Sequence, residues 1–336
     1  MKKSVKIYSA MILIILIVSF LYSCVDKSSY EYKSKEIAEQ MKSDLELHDM
    51  ADFFVDFSIK RRTLAEKNKL WLEYGLHEIA IEYVALLAPY YFTYLPVQNR
   101  WKQWQANQQF ARWNITTFDG LNLIADVALQ PDGSNKWAIF AHGYTSEKSE
   151  TIKSAYEFYS NGYNTVSLDL RAHGESEGEW ITMGWLDRLD IIQWINRVIA
   201  YDPIAEIVLH GVSMGSSAVM MVSGEALPLN VKAIISESGY TSAWDEFEYI
   251  LDRFFQLPSD PYMYACDIIA KENAGFTFHE ASAVKQVAKS NTPILFIHGD
   301  TDSFVLSKFV YEVYEAANCV KDILVVEGAG HGMSQT

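Results

Sequence analysis

The chain has 336 residues, of which 28 are Lys or Arg and 43 Asp or Glu, a formal charge of −15, and 49% are hydrophobic. That balance excludes a disordered solvating chain and any nucleic-acid binder held by phosphate contacts, because an acidic surface repels polyanions. Eight Pro and 17 Gly exclude collagen-like or low-complexity sequence. The length suits one large domain with an appendage, or two domains.

Lys2, Lys3 and Lys6 precede an uncharged stretch from Ile7 to Val25. A basic start followed by an apolar run without a polar face reads as a signal peptide or a membrane anchor, over residues 1–24, not as a core helix. Either way the lysines stay inside and the rest is expected on the outer face of the membrane. Leu21, Tyr22, Ser23 and Cys24 resemble a bacterial lipoprotein signal, which implies lipid attachment at Cys24 after cleavage, although Tyr22 stands where such signals carry a small residue. An uncleaved anchor and a released protein are the other outcomes.

Residues 25–112 read as a helical extension without an independent function. Ile79, Tyr83, Leu86, Leu87 and Tyr90 follow the spacing of one helix face. Pro89 and Pro96 bracket an aromatic cluster, Tyr90, Tyr91, Phe92 and Tyr94, which is expected to end a helix and pack onto the following body. From about residue 113 short apolar runs alternate with helical stretches, the pattern of a sheet with crossover helices on both faces. Strands are predicted at Trp113–Phe118, Leu123–Leu129, Lys136–Ala141, Thr165–Leu170, Ile207–His210, Ala233–Ser236, Ile294–His298 and Ile323–Val326. Gly120 turns the first two into a hairpin, and the remaining connections suit a mostly parallel eight-stranded sheet over residues 113–336.

Gly211, Val212, Ser213, Met214 and Gly215 lie between a predicted strand and a predicted helix, the setting in which G-x-S-x-G is a nucleophile turn. Such a turn is so sharp that the residues two before and two after the serine must lack side chains. A serine hydroxyl needs a base, and the base needs an acid to hold its tautomer. Three histidines follow Ser213. His279 lies in a long insert and His298 ends a buried strand, whereas His331 lies in a glycine-rich loop after the last strand and is the predicted base. In the loop after the seventh strand Asp302 is preferred as the acid, with Asp300 bracing the turn.

The order Ser213, Asp302, His331 is that of α/β-hydrolases, and the sequence resembles that superfamily over about residues 112–336. Phe140 to Ser146 resembles its oxyanion loop, Asp169 to Ser176 its turn after the fourth strand, and His298 to Asp302 its acid loop. The motifs look most like bacterial membrane-associated serine hydrolases of the esterase and serine-aminopeptidase-like branch. The resemblance implies the α/β-hydrolase fold, a lid-like insert after the sixth strand at about 238–291, and oxyanion donation from the backbone N–H groups of Tyr144 and Met214. It implies an acyl ester or related small molecule as partner and says nothing of oligomeric state; the missing motifs leave no case for a cofactor or metal, and the acidic charge none for nucleic acid. Ester cleavage through an acyl-enzyme is the leading expectation. Amide, peptide or thioester cleavage by the same residues, and a non-catalytic envelope binding protein, are the alternatives.

Rival readings of single residues are weaker. His142, directly before Gly143, is expected to be structural. The stretch from Asp169 places Arg171, His173 and Trp180 where a calcium loop needs oxygen ligands, and no zinc or phosphate-loop motif occurs. Trp244, Phe247, Tyr249, Phe254, Phe255, Tyr262 and Tyr264 in the insert are candidates for an acyl pocket, though core packing is the first expectation for each. Cys266 and Cys319 could pair outside the cytoplasm. Only five residues follow His331, which predicts an edge strand with less cover and a less restrained histidine loop.

Overall fold

The computed structural model describes residues 30–62, 66 and 100–333. The apolar stretch with Cys24, the helix face from Ile79 to Tyr90 and the aromatic cluster at 90–94 lie outside the described residues. Among those described, no helix is long and apolar enough to cross a membrane.

Eight strands form one sheet: β1 (Ala111–Thr116), β2 (Asn122–Ala128), β3 (Lys136–Ala141), β4 (Asn164–Leu168), β5 (Glu206–Val212), β6 (Val231–Glu237), β7 (Ile294–Gly299) and β8 (Lys321–Val326). Their spatial order is β1-β2-β4-β3-β5-β6-β7-β8. β2 runs antiparallel to both β1 and β4, and every other neighbouring pair is parallel. This is the α/β-hydrolase fold, with all eight predicted strands present and end shifts of at most two residues. Gly120, at φ 91°, makes the turn between β1 and β2.

The period of two explains how β3 holds both layers together. Ala138 and Phe140 face Ala155 and Phe158 of α4 (Ile152–Ser160), with Trp104 of α3 (Arg100–Asn107) closing that side. Trp137, Ile139 and Ala141 belong instead to the main core, with Trp194 and Ile195 of α5 (Asp187–Tyr201) and the fully buried helix α6 (Met214–Val222). β8 is an edge, and its Leu324 is 49% exposed.

The insert is helical: α7 (Ala243–Phe255), α8 (Ser259–Ala274) and α9 (Ala283–Val287). Ahead of the sheet lie α1 (Tyr30–Ser43) and α2 (Leu45–Ile59), separated at Asp44, whose carboxylate caps α2 by accepting from Leu47 N–H at 3.1 Å. α1 and α2 pack on α8, and Ile37, Leu47, Phe54, Val55 and Ile59 join the core of the body. The ring of Phe54 meets Phe247 and Phe255 edge-on at 5.8 and 5.6 Å. Trp244 packs on Tyr264 at 5.0 Å, and Phe247 on Phe278 at 4.5 Å. These insert aromatics therefore cement helices together. α10 (Lys308–Ala316) precedes β8 and completes the sequence of elements. The suggested pairing of Cys266 with Cys319 is absent: both thiols are free, and Cys266 is buried in α8 against α2, its Sγ 3.9 Å from the carbonyl of Ala51.

Candidate active site

Ser213 stands between β5 and α6 with φ 57° and ψ −122°, a region L-residues rarely enter. The two flanking glycines are sterically required. A Cβ on Gly211 would lie 2.2 Å from the carbonyl oxygen of Gly215, and one on Gly215 would lie 2.1 Å from that of Ala141. The fold thus forces a strained turn that thrusts the serine hydroxyl out at the carboxyl ends of the strands. Met214 is the first residue of α6, where N–H groups have no intrahelical acceptor and the helix dipole favours negative charge.

His331 reaches Ser213 from the loop after β8. Its Nε2 is 2.9 Å from Ser213 Oγ, and its Nδ1 is 2.8 Å from Asp302 Oδ2. Burial opposes ionisation of Asp302, but the neighbouring His331 and hydrogen bonds from His298 and His331 outweigh it and draw the carboxyl down to about 2. An ionised Asp302 only accepts, so Nδ1 of His331 carries the proton and its Nε2 is left to accept from the serine hydroxyl. The other oxygen of Asp302 accepts from the N–H groups of Phe304 and Val305, both at 3.0 Å, which fixes the carboxylate in one orientation.

Asp300 is turned elsewhere: its Oδ1 accepts from Gly328 N–H at 2.7 Å and braces the histidine loop. Thr301 Oγ1 donates to the carbonyl of Ala329 at 2.8 Å, Gly332 N–H donates to Ser238 Oγ at 3.3 Å, and the ring of Phe304 lies 4.9 Å from that of His331. The loop is therefore tied at several points, contrary to the expectation of slack, because its restraints come from β6 and the acid loop and need no following helix.

The oxyanion candidates meet at the same place. A Cβ on Gly143 would sit 3.3 Å from Ser213 Cβ and 3.8 Å from its Oγ, so the backbone beside Tyr144 lies directly against the serine. His142 is buried and holds the root of this loop, donating from Nδ1 to the carbonyl of Gly143 at 2.8 Å and accepting Leu170 N–H at Nε2, 3.1 Å. Burial pushes its pKa down, which keeps it the neutral acceptor that this bond needs. Asp169 also serves the framework, accepting from Lys148 N–H, the Lys148 ammonium and Glu175 N–H at 2.7–2.9 Å. His279 lies in the insert beside Lys285 and Trp244 and takes no part in the cluster.

Sequence reasoning missed three contributors. His298 is fully buried, and its Nε2 lies 3.0 Å from the carbonyl of Val305 and 3.1 Å from Asp302 Oδ2, so its one N–H is shared between that carbonyl and the same carboxylate oxygen that His331 reaches. Its position four residues before Asp302, at the end of a strand, was the available signal. His173 accepts Thr145 N–H at Nε2, 3.2 Å, and Ser58 of α2 accepts the phenol of Tyr144. Those pairings cross 28 and 86 residues and leave no local pattern. Among the described residues no group of His, Cys, Asp and Glu is arranged to hold a metal ion.

The sheet order and the serine turn define a protein of the α/β-hydrolase fold. The family model described as alpha/beta hydrolase fold matches residues 137–267. The uncharacterised protein YqkD of Bacillus subtilis is 25% identical over 211 residues, which is 61% of this chain and 68% of that protein. The human protein ABHD12B is 24% identical over 191 residues, 54% of this chain but only half of its own length. Among solved structures, an esterase of Pyrococcus furiosus matches with a TM-score of 0.54 at 24% identity, over 70% of this chain and 88% of the esterase. An acylaminoacyl peptidase of Pyrococcus horikoshii matches with a TM-score of 0.53 at 18% identity, over 72% of this chain and 40% of the peptidase.

Proposed function

We propose that the protein is a serine hydrolase that cleaves carboxylic esters through an acyl-enzyme. The observation that carries this reading is the unbroken hydrogen-bonded line Asp302, His331, Ser213, with the serine on a strained turn at φ 57°. Ser213 Oγ attacks the ester carbonyl while His331 Nε2 takes its proton. The oxygen's new charge is met by the N–H groups of Met214 and Tyr144. The imidazolium then returns the proton to the leaving alcohol, and the C–O bond breaks. Water, deprotonated by His331 in turn, releases the acid and restores the serine. Asp302, ionised and doubly anchored, stabilises the imidazolium and keeps its tautomer.

The same machinery cleaves amides and thioesters, and the structural likeness extends to a peptidase as well as an esterase. We further propose that residues 1–24 tether the enzyme to the outer face of the membrane, as lipidated Cys24 or as an anchor. A serine-reactive fluorophosphonate tests the catalytic reading: wild type is expected to be labelled and Ser213→Ala not. A well-folded wild type that takes no label would leave the non-catalytic binding protein as the better account. A chain-length series of esters beside matched anilides then separates bond type from pocket size.

A further inference from the structure

Resting on the hydrolase reading, we infer that α2 and the residues 60–62 after it are a positioning strap for the oxyanion side of the site, acting through the phenol of Tyr144.

Residues 143–146 leave β3 and fold back at once, with Thr145 at φ 57°. The direction of Tyr144 N–H is therefore set by whatever holds this short loop. One tie, from Thr145 N–H to His173, comes from the body. A further tie does not: the Tyr144 hydroxyl donates to the carbonyl of Ser58 in the last turn of α2. A carbonyl there lacks an intrahelical donor and carries the negative end of the helix dipole, so it is a good acceptor for a phenol. Burial raises the Tyr144 pKa, which leaves the hydroxyl a donor at any working pH.

The acceptor is itself held firmly. Ile59 C=O accepts Ile181 N–H at 2.7 Å, and Arg61 N–H donates to Glu179 C=O at 2.8 Å. The Arg61 guanidinium donates to the carbonyls of Gly174 and Ser176, each at 2.6 Å. The strap is thus stitched to the same loop that carries His173, and its helix is packed on the insert by Phe54. Tyr144 is clamped between two walls that share a foundation. Simple packing of the N-terminal helices needs no phenol aimed from the oxyanion loop at a helix carbonyl.

The test uses full-length wild type, Tyr144→Phe and Arg61→Ala, with active sites counted by fluorophosphonate so that misfolded protein is excluded. The readouts are kcat and KM on one ester and the affinity for a phenylboronic acid, which forms a tetrahedral anion on the serine. Per titrated site, Tyr144→Phe is expected to lose about three- to tenfold in kcat with KM held within about twofold, the scale of one neutral hydrogen bond. Boronate affinity falls by the same factor, and Arg61→Ala shifts both in the same direction. Should Tyr144→Phe fail to fold, Arg61→Ala decides alone. Variants that equal a labelled wild type per titrated site overturn the inference only, whatever their melting temperatures. A wild type that takes no label removes the hydrolase reading, and the inference with it.

Discussion

Asp302 is held by four donors at once: two backbone N–H groups on one oxygen, and His331 and His298 on the other. An arrangement this complete for the charged form makes the carboxylate a stability determinant, beside the catalytic role proposed for it. Its pKa of about 2 in the fold lies below the ordinary 3.8, so between those values the unfolded chain binds more protons than the folded one. The contribution is therefore whole above about pH 4 and drains away as pH falls towards about 2. Urea midpoints measured across about pH 5 to 2 are expected to fall less steeply in Asp302→Asn than in wild type. Parallel slopes would mean that the four donors add no acid-sensitive stability. The same substitution is expected to lower kcat by about 10⁴-fold, because an amide can turn its NH₂ towards the imidazole and select the wrong tautomer.

At the scale of elements, the sheet and the serine turn were legible because their causes are local. Branched and aromatic runs bounded by turn residues marked all eight strands, and Gly211 and Gly215 announced a backbone that excludes side chains. Asp302 and His331, which lie in hydrogen-bonded line with Ser213, followed from chain order and loop position. What sequence did not disclose were contacts without a local pattern: His298 beside Asp302, and α2 between the insert and the loop that carries Tyr144. α2 reads only as an amphipathic helix until its partner is known, since apolar spacing says that a face is buried and not against what. That docking yields a stability prediction. Phe54 is 3% exposed and meets two insert rings, so Phe54→Ala is expected to cost about 3–5 kcal/mol, read as a lower urea midpoint. Leu45, 73% exposed on the same helix, serves as the control, and Leu45→Ala should change stability by no more than about 0.5 kcal/mol. Equal effects at the two positions would mean that α2 is not docked on the insert.

For the whole molecule, the charge of −15 bears on the proposed membrane tether. An acidic surface is repelled by anionic lipid headgroups, so the proposed tether would rest on the apolar stretch Ile7 to Val25 and not on electrostatics. α1 begins at Tyr30, five positions after Val25, and a linker of that length spans at most about 17 Å. Because α1 packs on α8, a tether at Cys24 would bring the start of α1 and the insert helix beneath it towards the bilayer. The full chain is accordingly expected in the membrane fraction, to stay there through a high-salt wash that strips electrostatically bound proteins, and to be released by detergent. Intact mass of the extracted protein separates the two forms of tether. A lipidated form starts at Cys24 with added acyl mass and is lost in Cys24→Ser, whereas an uncleaved anchor keeps residues 1–23 and is indifferent to that substitution. Salt-extractable protein, or a soluble form lacking residues 1–23 and carrying no lipid, would show that the apolar stretch does not hold the protein at the surface.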